Sequence, residues 1–302
     1  MIYTLTTNPS IDYIMRLESF EDGKTLRSKT EEKYAGGKGI MVAKILKNLG
    51  ENPVNLGFIG GFPGEFVKNE LRKAGISEHF TPIAEDTRIN VKLKYWTETE
   101  INAGGPEIRG QEVEAFFKSL DDIKEDDYLV ISGSLPKSLD KDFYEKVIET
   151  TGAKFSVDIA TKEVLDYLKY KPVLLKPNEE ELGNIFETEI GSMDEIIKYA
   201  KELISLGAQN VIVSLGAYGS IFVDEDKIYK ACAIKGELVN SVGAGDSMVG
   251  GFIYAISKGY SKLDAYKLSV ACGSATAFSP DIASREKIEE ILEKVEVREI
   301  GN

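Results

Sequence analysis

Val54-Asn55-Leu56-Gly57-Phe58-Ile59-Gly60-Gly61-Phe62-Pro63-Gly64 runs from a strand-like segment into a cluster of glycines, and a helical pattern follows over residues 64–74. The segment is short, rich in apolar residues and closed by turn formers, which predicts a buried strand feeding a helix. Working outward, further strand-like runs lie at residues 2–6, 90–96, 128–131, 155–158, 173–176, 211–214 and 220–223. Helical patterns cover residues 39–49, 112–121, 142–151, 193–206, 246–258, 264–279 and 286–295, and in the first of these Val42, Ala43, Leu46 and Leu49 share one face. Strands alternating with helices predict an α/β fold: a mainly parallel sheet with helices on both faces, giving three layers. Residues 11–17 and 90–101 break the alternation and predict a small extra β-sheet, with Val91, Leu93 and Tyr95 alternating against Lys92 and Lys94. No linker, low-complexity tract or internal repeat interrupts the chain, so residues 1–302 are expected to form a single domain with a small β lid over about residues 11–34 and 88–104.

Bulk properties narrow the function. Hydrophobic residues make up 42% of the 302, enough for a large core and too many for a disordered chain. No apolar run reaches the roughly 18 residues that a membrane helix needs. The opening Met1-Ile2-Tyr3-Thr4-Leu5-Thr6 lacks a basic lead and a signal core, so a cytoplasmic protein is expected. A net charge of −13 argues against a nucleic-acid partner. It permits an anionic small substrate if cations are concentrated locally. Cys232 and Cys272, the only cysteines, make neither a disulfide framework nor a zinc site. The single histidine, His79, lies in a loop-like stretch without a nucleophile motif, which leaves Asp, Glu, Lys and backbone groups for any chemistry.

Asn240-Ser241-Val242-Gly243-Ala244-Gly245-Asp246-Ser247 leads from a polar stretch into a helix. Glycines at 243 and 245 permit backbone angles closed to other residues, so that successive N–H groups can face one concavity at the positive end of the helix dipole. Met248 stands where a dinucleotide fingerprint needs glycine, and no Lys-Ser/Thr pair follows as in a Walker loop. A carboxylate beside an anion nest opposes a resting phosphate but suits a base that takes the proton of an attacking hydroxyl. Two readings of Asp246 therefore stand together, general base and helix N-cap. Tyr34-Ala35-Gly36-Gly37-Lys38-Gly39 is a second glycine-rich turn before a helix, with a cation in it. Together with residues 57–64, it predicts several such turns lining the carboxyl edge of one sheet, where α/β proteins bind ligands.

Taken together, these residues resemble the ribokinase-like sugar kinases, the PfkB family, over essentially the whole chain. Residues 36–39 with Val42-Ala43 look like the first family signature, and residues 240–247 like the second. Thr6-Thr7-Asn8-Pro9-Ser10-Ile11-Asp12, Thr87-Arg88-Ile89-Asn90, Ser132-Gly133-Ser134-Leu135-Pro136, Lys176-Pro177-Asn178-Glu179-Glu180-Glu181 and Val213-Ser214-Leu215-Gly216 are similar to the branch acting on fructose and tagatose phosphates. The resemblance implies a ribokinase-like three-layer fold with a β-sheet lid. It implies ATP-dependent phosphorylation of a ketohexose phosphate, first fructose 1-phosphate at its 6-hydroxyl, with tagatose 6-phosphate or fructose 6-phosphate as alternatives and a non-catalytic sensor as a remote one. Asp246 would be the base, with Gly243, Ala244 and Gly245 steadying the transferred group. Asp12, Gly36, Gly37 and Lys38 would bind the sugar, and Arg88, with Lys24, Arg27 and Ser132, its phosphate. Lys176, Asn178, Ser214, Gly216, Gly219, Ala275 and Ser279 would line the ATP site, and Asn178 and Glu181 would organise Mg²⁺. A homodimer through the lid is implied as well. Met41, Leu26 and Ala103 depart from the family pattern, which has Asn, Asn and Gly there.

Overall fold

The run that announces a strand forms one: Val54–Ile59 is β4, buried along nearly its whole length. The computed structural model describes residues 1–159 and 161–301. In chain order the first half is β1 (Ile2–Thr6), β2 (Ser10–Arg16), β3 (Thr30–Gly36), α1 (Lys38–Asn48), β4, α2 (Gly61–Lys73), β5 (Ser77–Pro82), β6 (Arg88–Lys94), β7 (Glu98–Ile101), α3 (Gly110–Lys118), β8 (Tyr128–Ser132) and α4 (Phe143–Thr151). The second half is β9 (Lys154–Asp158), α5 (Val164–Tyr167), β10 (Leu174–Leu175), α6 (Glu179–Ile185), α7 (Met193–Ser205), β11 (Val211–Ser214), β12 (Ser220–Val223), β13 (Ile228–Ala231), α8 (Ala244–Ser257), α9 (Lys262–Ala277), α10 (Arg285–Leu292) and β14 (Val297–Gly301).

Ten strands make the main sheet in the order β14-β13-β12-β11-β10-β9-β8-β1-β4-β5. From β11 to β5 every pairing is parallel, and β12, β13 and β14 extend the sheet antiparallel. Every residue of β1 is buried, as a central strand covered on both faces requires. One apolar layer joins Phe58 to Phe116 of α3, Val147 of α4, Leu182 of α6 and Leu203 of α7. The other joins Val130 to Ile45 of α1, Phe252 of α8, Ala271 of α9 and Ile288 of α10. The expected α/β/α sandwich is therefore present. A separate sheet runs β3-β2-β6-β7, with β2 and β6 parallel between two antiparallel pairs.

The differences from the sequence expectation fall at edges. His79 lies in edge strand β5 opposite Leu56, where a loop was expected. Its neighbours Ser77 and Glu78 are polar and outward-facing, so no apolar alternation marks the strand. The edge strand β14 and its neighbour β13 are hidden in the same way, with Lys230 paired to Arg298 and Tyr229 to Glu299. In β6 the expected faces are reversed: Asn90 and Lys92 are buried while Val91 and Leu93 are partly exposed.

Gly57 has φ 143°, and a Cβ placed there would lie 1.9 Å from the Thr6 carbonyl oxygen on the neighbouring strand. Both the dihedral and the contact demand glycine. Gly57→Ala is expected to cost about 2–4 kcal/mol of stability and to lower the thermal unfolding midpoint by several degrees, read by circular dichroism.

Candidate active site

The carboxyl ends of β8, β9, β10 and β11 deliver Ser132, Asp158, Lys176 and Ser214 to one edge of the sheet, as the strand order requires. Asp158, only 3% exposed, sits between two lysines: Lys38 Nζ is 3.1 Å from one carboxylate oxygen and Lys176 Nζ 3.4 Å from the other. Lys38 also lies 3.8 Å from Glu181. Burial opposes the charge of Asp158, but Lys176 and Lys38 outweigh it and hold the carboxyl below its ordinary range. Burial likewise opposes the charge of Lys38, while Asp158, Asp246 and Glu181 together hold its pKa above the usual lysine value.

Asp246 belongs to the same group and responds in the opposite direction. Its burial, and then the negative charge of Asp158, push its carboxyl up to about 7 against the partial offset of Lys38 and Lys176. Of its two sequence readings, the N-cap is now excluded. Gly243 occupies the N-cap of α8 with φ 80°, and Asp246 stands in the first helical turn. Ala244 N–H donates to the Ser241 carbonyl at 3.3 Å, and the N–H groups of Gly245 and Asp246 stand at the positive end of the dipole, where a helix supplies no partner. Lys176 lies beneath the turn, its Nζ 3.2 Å from where a Cβ of Gly245 would be. Met41, 8% exposed, packs below Gly243.

A cavity of about 600 Å³ opens beside this charge cluster, with Gly37, Lys38, Arg88, Ser132 and Asp158 in its wall. Arg88 is held by its own fold, its Nε donating to the Asn8 carbonyl at 3.2 Å and Nη1 to that of Ala103 at 2.9 Å. Asp12 lines a smaller neighbouring cleft with Met41, Lys92 and Val242. Its Oδ1 accepts from Ser10 Oγ at 2.8 Å and Asn90 Nδ2 at 3.0 Å. Gly36 makes that possible, since a Cβ there would meet Asp12 Oδ1 at 2.6 Å.

Other expected residues divide. Asn178 caps α6 in a reciprocal box: its Oδ1 accepts from Glu181 N–H at 2.7 Å, and Glu181 Oε2 accepts from Asn178 N–H at 2.9 Å. Glu181 Oε1 is left facing the cluster. Among the described residues no three His, Cys, Asp or Glu side chains gather into a metal cage. One carboxylate with phosphates and water is the usual environment of Mg²⁺, so the residues present fit that ion. Ser214 bridges to Asn178, and Gly216 (φ 54°) and Gly219 (φ 90°) shape the tight β11–β12 turn. Ala275 is fully buried in the apolar layer, so its methyl touches core and no cleft, and its carbonyl accepts from Ser279 Oγ at 2.8 Å. Lys24 and Arg27 remain exposed between β2 and β3, Lys24 beside Glu21 at 3.8 Å, and neither lines a described cavity. The turn at residues 57–64 does not line the cavity either. Gly60 instead binds Thr87 through N–H to Oγ1 at 3.0 Å and accepts its N–H at 2.9 Å, which sets the start of the Arg88 strand.

Two members of the site escaped sequence reasoning. Asp158 ends a strand read correctly from sequence, and its place at a carboxyl edge was the available signal. Lys92, with Nζ 3.5 Å from Asp12 and 3.2 Å from Glu100, gave none, because a lysine in an alternating strand reads as outward-facing.

The pfkB family carbohydrate kinase profile matches residues 5–287. The chain belongs to this family. Sequence and fold relatives agree with that membership. The 1-phosphofructokinase of Bacillus subtilis (strain 168) is 44% identical over 300 residues, covering 98% of this chain and 99% of the relative. The D-tagatose-1-phosphate kinase of Bacillus licheniformis is 34% identical over 301 residues, covering 98% and 99%. The crystal structure of phosphofructokinase-2 from Escherichia coli in complex with substrates and products superposes with a TM-score of 0.91 at 26% identity, covering 97% of this chain and 98% of that one. The resemblance carried by residues 36–39 and 240–247 is thus borne out, and as a pfkB kinase the protein transfers a phosphoryl group to a sugar hydroxyl.

Asp158→Asn removes the anion that raises Asp246 and leaves buried Lys176 without its partner. It is expected to lower the apparent pKa on the acid limb of the pH–rate profile and to destabilise the fold by about 3–5 kcal/mol in urea unfolding.

Proposed function

We propose that this pfkB kinase transfers the γ-phosphoryl group of ATP to the 6-hydroxyl of fructose 1-phosphate, giving ADP and fructose 1,6-bisphosphate. The observation that carries the reading is the buried carboxylate of Asp246 in the first turn of α8, its pKa near the operating pH of a base. Support for the sugar comes from the relative named 1-phosphofructokinase, 44% identical end to end. Tagatose phosphates are the second reading, favoured by the relative named D-tagatose-1-phosphate kinase.

In this mechanism Asp246 accepts the proton of the attacking hydroxyl as the new O–P bond forms and the bond to the β-phosphate oxygen breaks. The amides of Gly243, Ala244 and Gly245 face the transferring group and stabilise its charge. Lys176 and Lys38 supply positive charge beneath it. Arg88 and Ser132 bind the sugar's own phosphate, and Asp12 accepts from its ring hydroxyls. Asn178, Ser214, Gly216 and Gly219 form the nucleotide side, with Ala275 and Ser279 supporting it from α9. Mg²⁺, held through Glu181 and the Asn178 turn, would neutralise the nucleotide phosphates. The small sheet acts as a lid that excludes water. Its exposed Ile101 and Trp96, the latter on the β6–β7 connection, with Phe20 between β2 and β3, suit pairing with a second copy. The E. coli relative has a structure described as a tetrameric inhibited form. Among the described residues no helix is long and apolar enough to cross a membrane, and use of ATP fits a cytoplasmic setting.

Asp246→Asn is expected to lower kcat by about 10²–10⁴-fold while ATP and sugar phosphate still bind by calorimetry. Wild-type kcat/KM falls as pH drops below about 7, where Asp246 takes up its proton. Stability moves the other way. Between an unfolded carboxyl near 3.9 and the folded value, the folded chain keeps a proton that the unfolded chain has lost, so stability declines as pH rises through this window. Asp246→Asn should therefore raise the unfolding temperature more at pH 8 than at pH 5.

A further inference from the structure

We propose that Lys137 and Lys141 hold the phosphate that the sugar already carries, completing the subsite that Arg88 and Ser132 begin. The inference rests on the sugar-phosphate reading above and adds specificity-determining residues to it. A phosphate monoester carries about −1.5 to −2 at neutral pH, more than one guanidinium balances. Arg88 is already partly engaged, with Nε and Nη1 donating to the carbonyls of Asn8 and Ala103. The lysine and arginine expected to assist it, Lys24 and Arg27, lie outside the cavity wall. Lys38 is committed to Asp158 and Glu181.

Lys137 and Lys141 are the remaining cations of the same wall, and among the described residues neither stands within ion-pair distance of a carboxylate. Of the two carboxylates in that wall, Asp158 is matched by Lys38 and Lys176. The other, Glu163, is held below its ordinary range first by the Thr161 hydroxyl and its own backbone N–H, with Lys141 and Lys162 attracting it from farther off. Ser132 Oγ, 1% exposed, and Asn8 Oδ1, 6% exposed, are buried in the same wall without hydrogen-bond partners. An unpaired buried hydroxyl is costly unless a ligand completes it.

The loop bearing the lysines is fixed to the Arg88 side of the cavity. Ser138 Oγ accepts from Ile108 N–H at 3.0 Å and donates to the Pro106 carbonyl at 3.2 Å, three residues beyond the Ala103 that Arg88 grips. Leu139 N–H donates to the Pro136 carbonyl at 3.1 Å, and its buried side chain anchors the turn between the two lysines. Lysine serves here as a mobile point charge on a rigid mount, which suits a phosphate that arrives and leaves with the sugar.

The test measures KM and kcat for fructose 1-phosphate and ATP, and calorimetric Kd for fructose 1-phosphate, in Lys137→Ala, Lys141→Ala and the double variant. Each single change is expected to raise KM and Kd for the sugar phosphate about three- to tenfold, and the double change about 10- to 100-fold. KM for ATP should stay within about twofold, since the lysines face only the sugar side, and Lys→Arg at either position should recover most of the loss. Calorimetric Kd for unphosphorylated fructose should not rise in proportion. A double variant with wild-type KM and Kd overturns the proposal, as does an equal loss with fructose. A larger effect from Lys24→Ala or Arg27→Ala would also overturn it by returning the phosphate to those residues. Failure of the wild-type chain to bind fructose 1-phosphate or release ADP with it would instead overturn the substrate reading itself.

Discussion

Asp158, buried at the carboxyl edge of the main sheet, pairs with two ammonium groups at once, Lys38 through one oxygen and Lys176 through the other. Lys38 comes from α1 and Lys176 from the end of β10, so Asp158 ties both to β9; Glu181 of α6 joins through Lys38, and Asp246 of α8 feels the same charges without a direct ion pair. Three carboxylates share two lysines, and the cluster is one positive charge short. The strain of that shortage falls on the carboxylate farthest from a direct ion pair, which is Asp246. Burial pushes both carboxyls toward their neutral forms; Lys176 and Lys38 outweigh it at Asp158, whereas at Asp246 burial and the charge of Asp158 prevail. The basicity of the proposed catalytic group is thus raised first by its own burial and then by a neighbouring carboxylate, Asp158.

The glycine-rich turns look alike in sequence and do different work. At residues 36–39 the missing side chains let the chain run against Thr6, Ser10 and Asp12. At 243–245 they open a helix end. At 57–64 they receive Thr87 and the backbone before Arg88, so this turn acts on the site at one remove. A glycine pattern reports close approach, and only tertiary structure says whether what approaches is a ligand or another strand.

Legibility followed burial. The central strands β1, β4, β11 and β12 fall where the sequence placed them, because strands covered on both faces must be apolar throughout. The edge strands β5 and β14, with β13 beside β14, were invisible because strands at the margin of a sheet carry polar residues as a loop does. In the site, residues adjoining glycine turns were legible and those buried by ion pairing were not. Lys92 is the clearest case: its burial depends on Asp12 and Glu100, which come from two other strands, and no local pattern encodes that meeting. Ala275 shows the opposite ambiguity: it is fully buried, and small residues in a helix mark tight packing as readily as a cleft.

The chain's net charge of −13 would by itself repel both proposed substrates. At physiological ionic strength charges are screened over about 8 Å, so an approaching sugar phosphate responds to the few residues nearest the opening. There Arg88, Lys137 and Lys141 line the cavity. Once a nucleotide's phosphates join the cluster, the added negative charge would drive Asp246 further toward its neutral form. Productive binding therefore demands that positive charge arrive with the nucleotide, because Lys38 and Lys176 are already balanced by Asp158 and Glu181. A divalent cation carried in on the phosphates, such as the Mg²⁺ proposed above, would meet that charge deficit and would leave Asp246 able to accept its proton from the sugar.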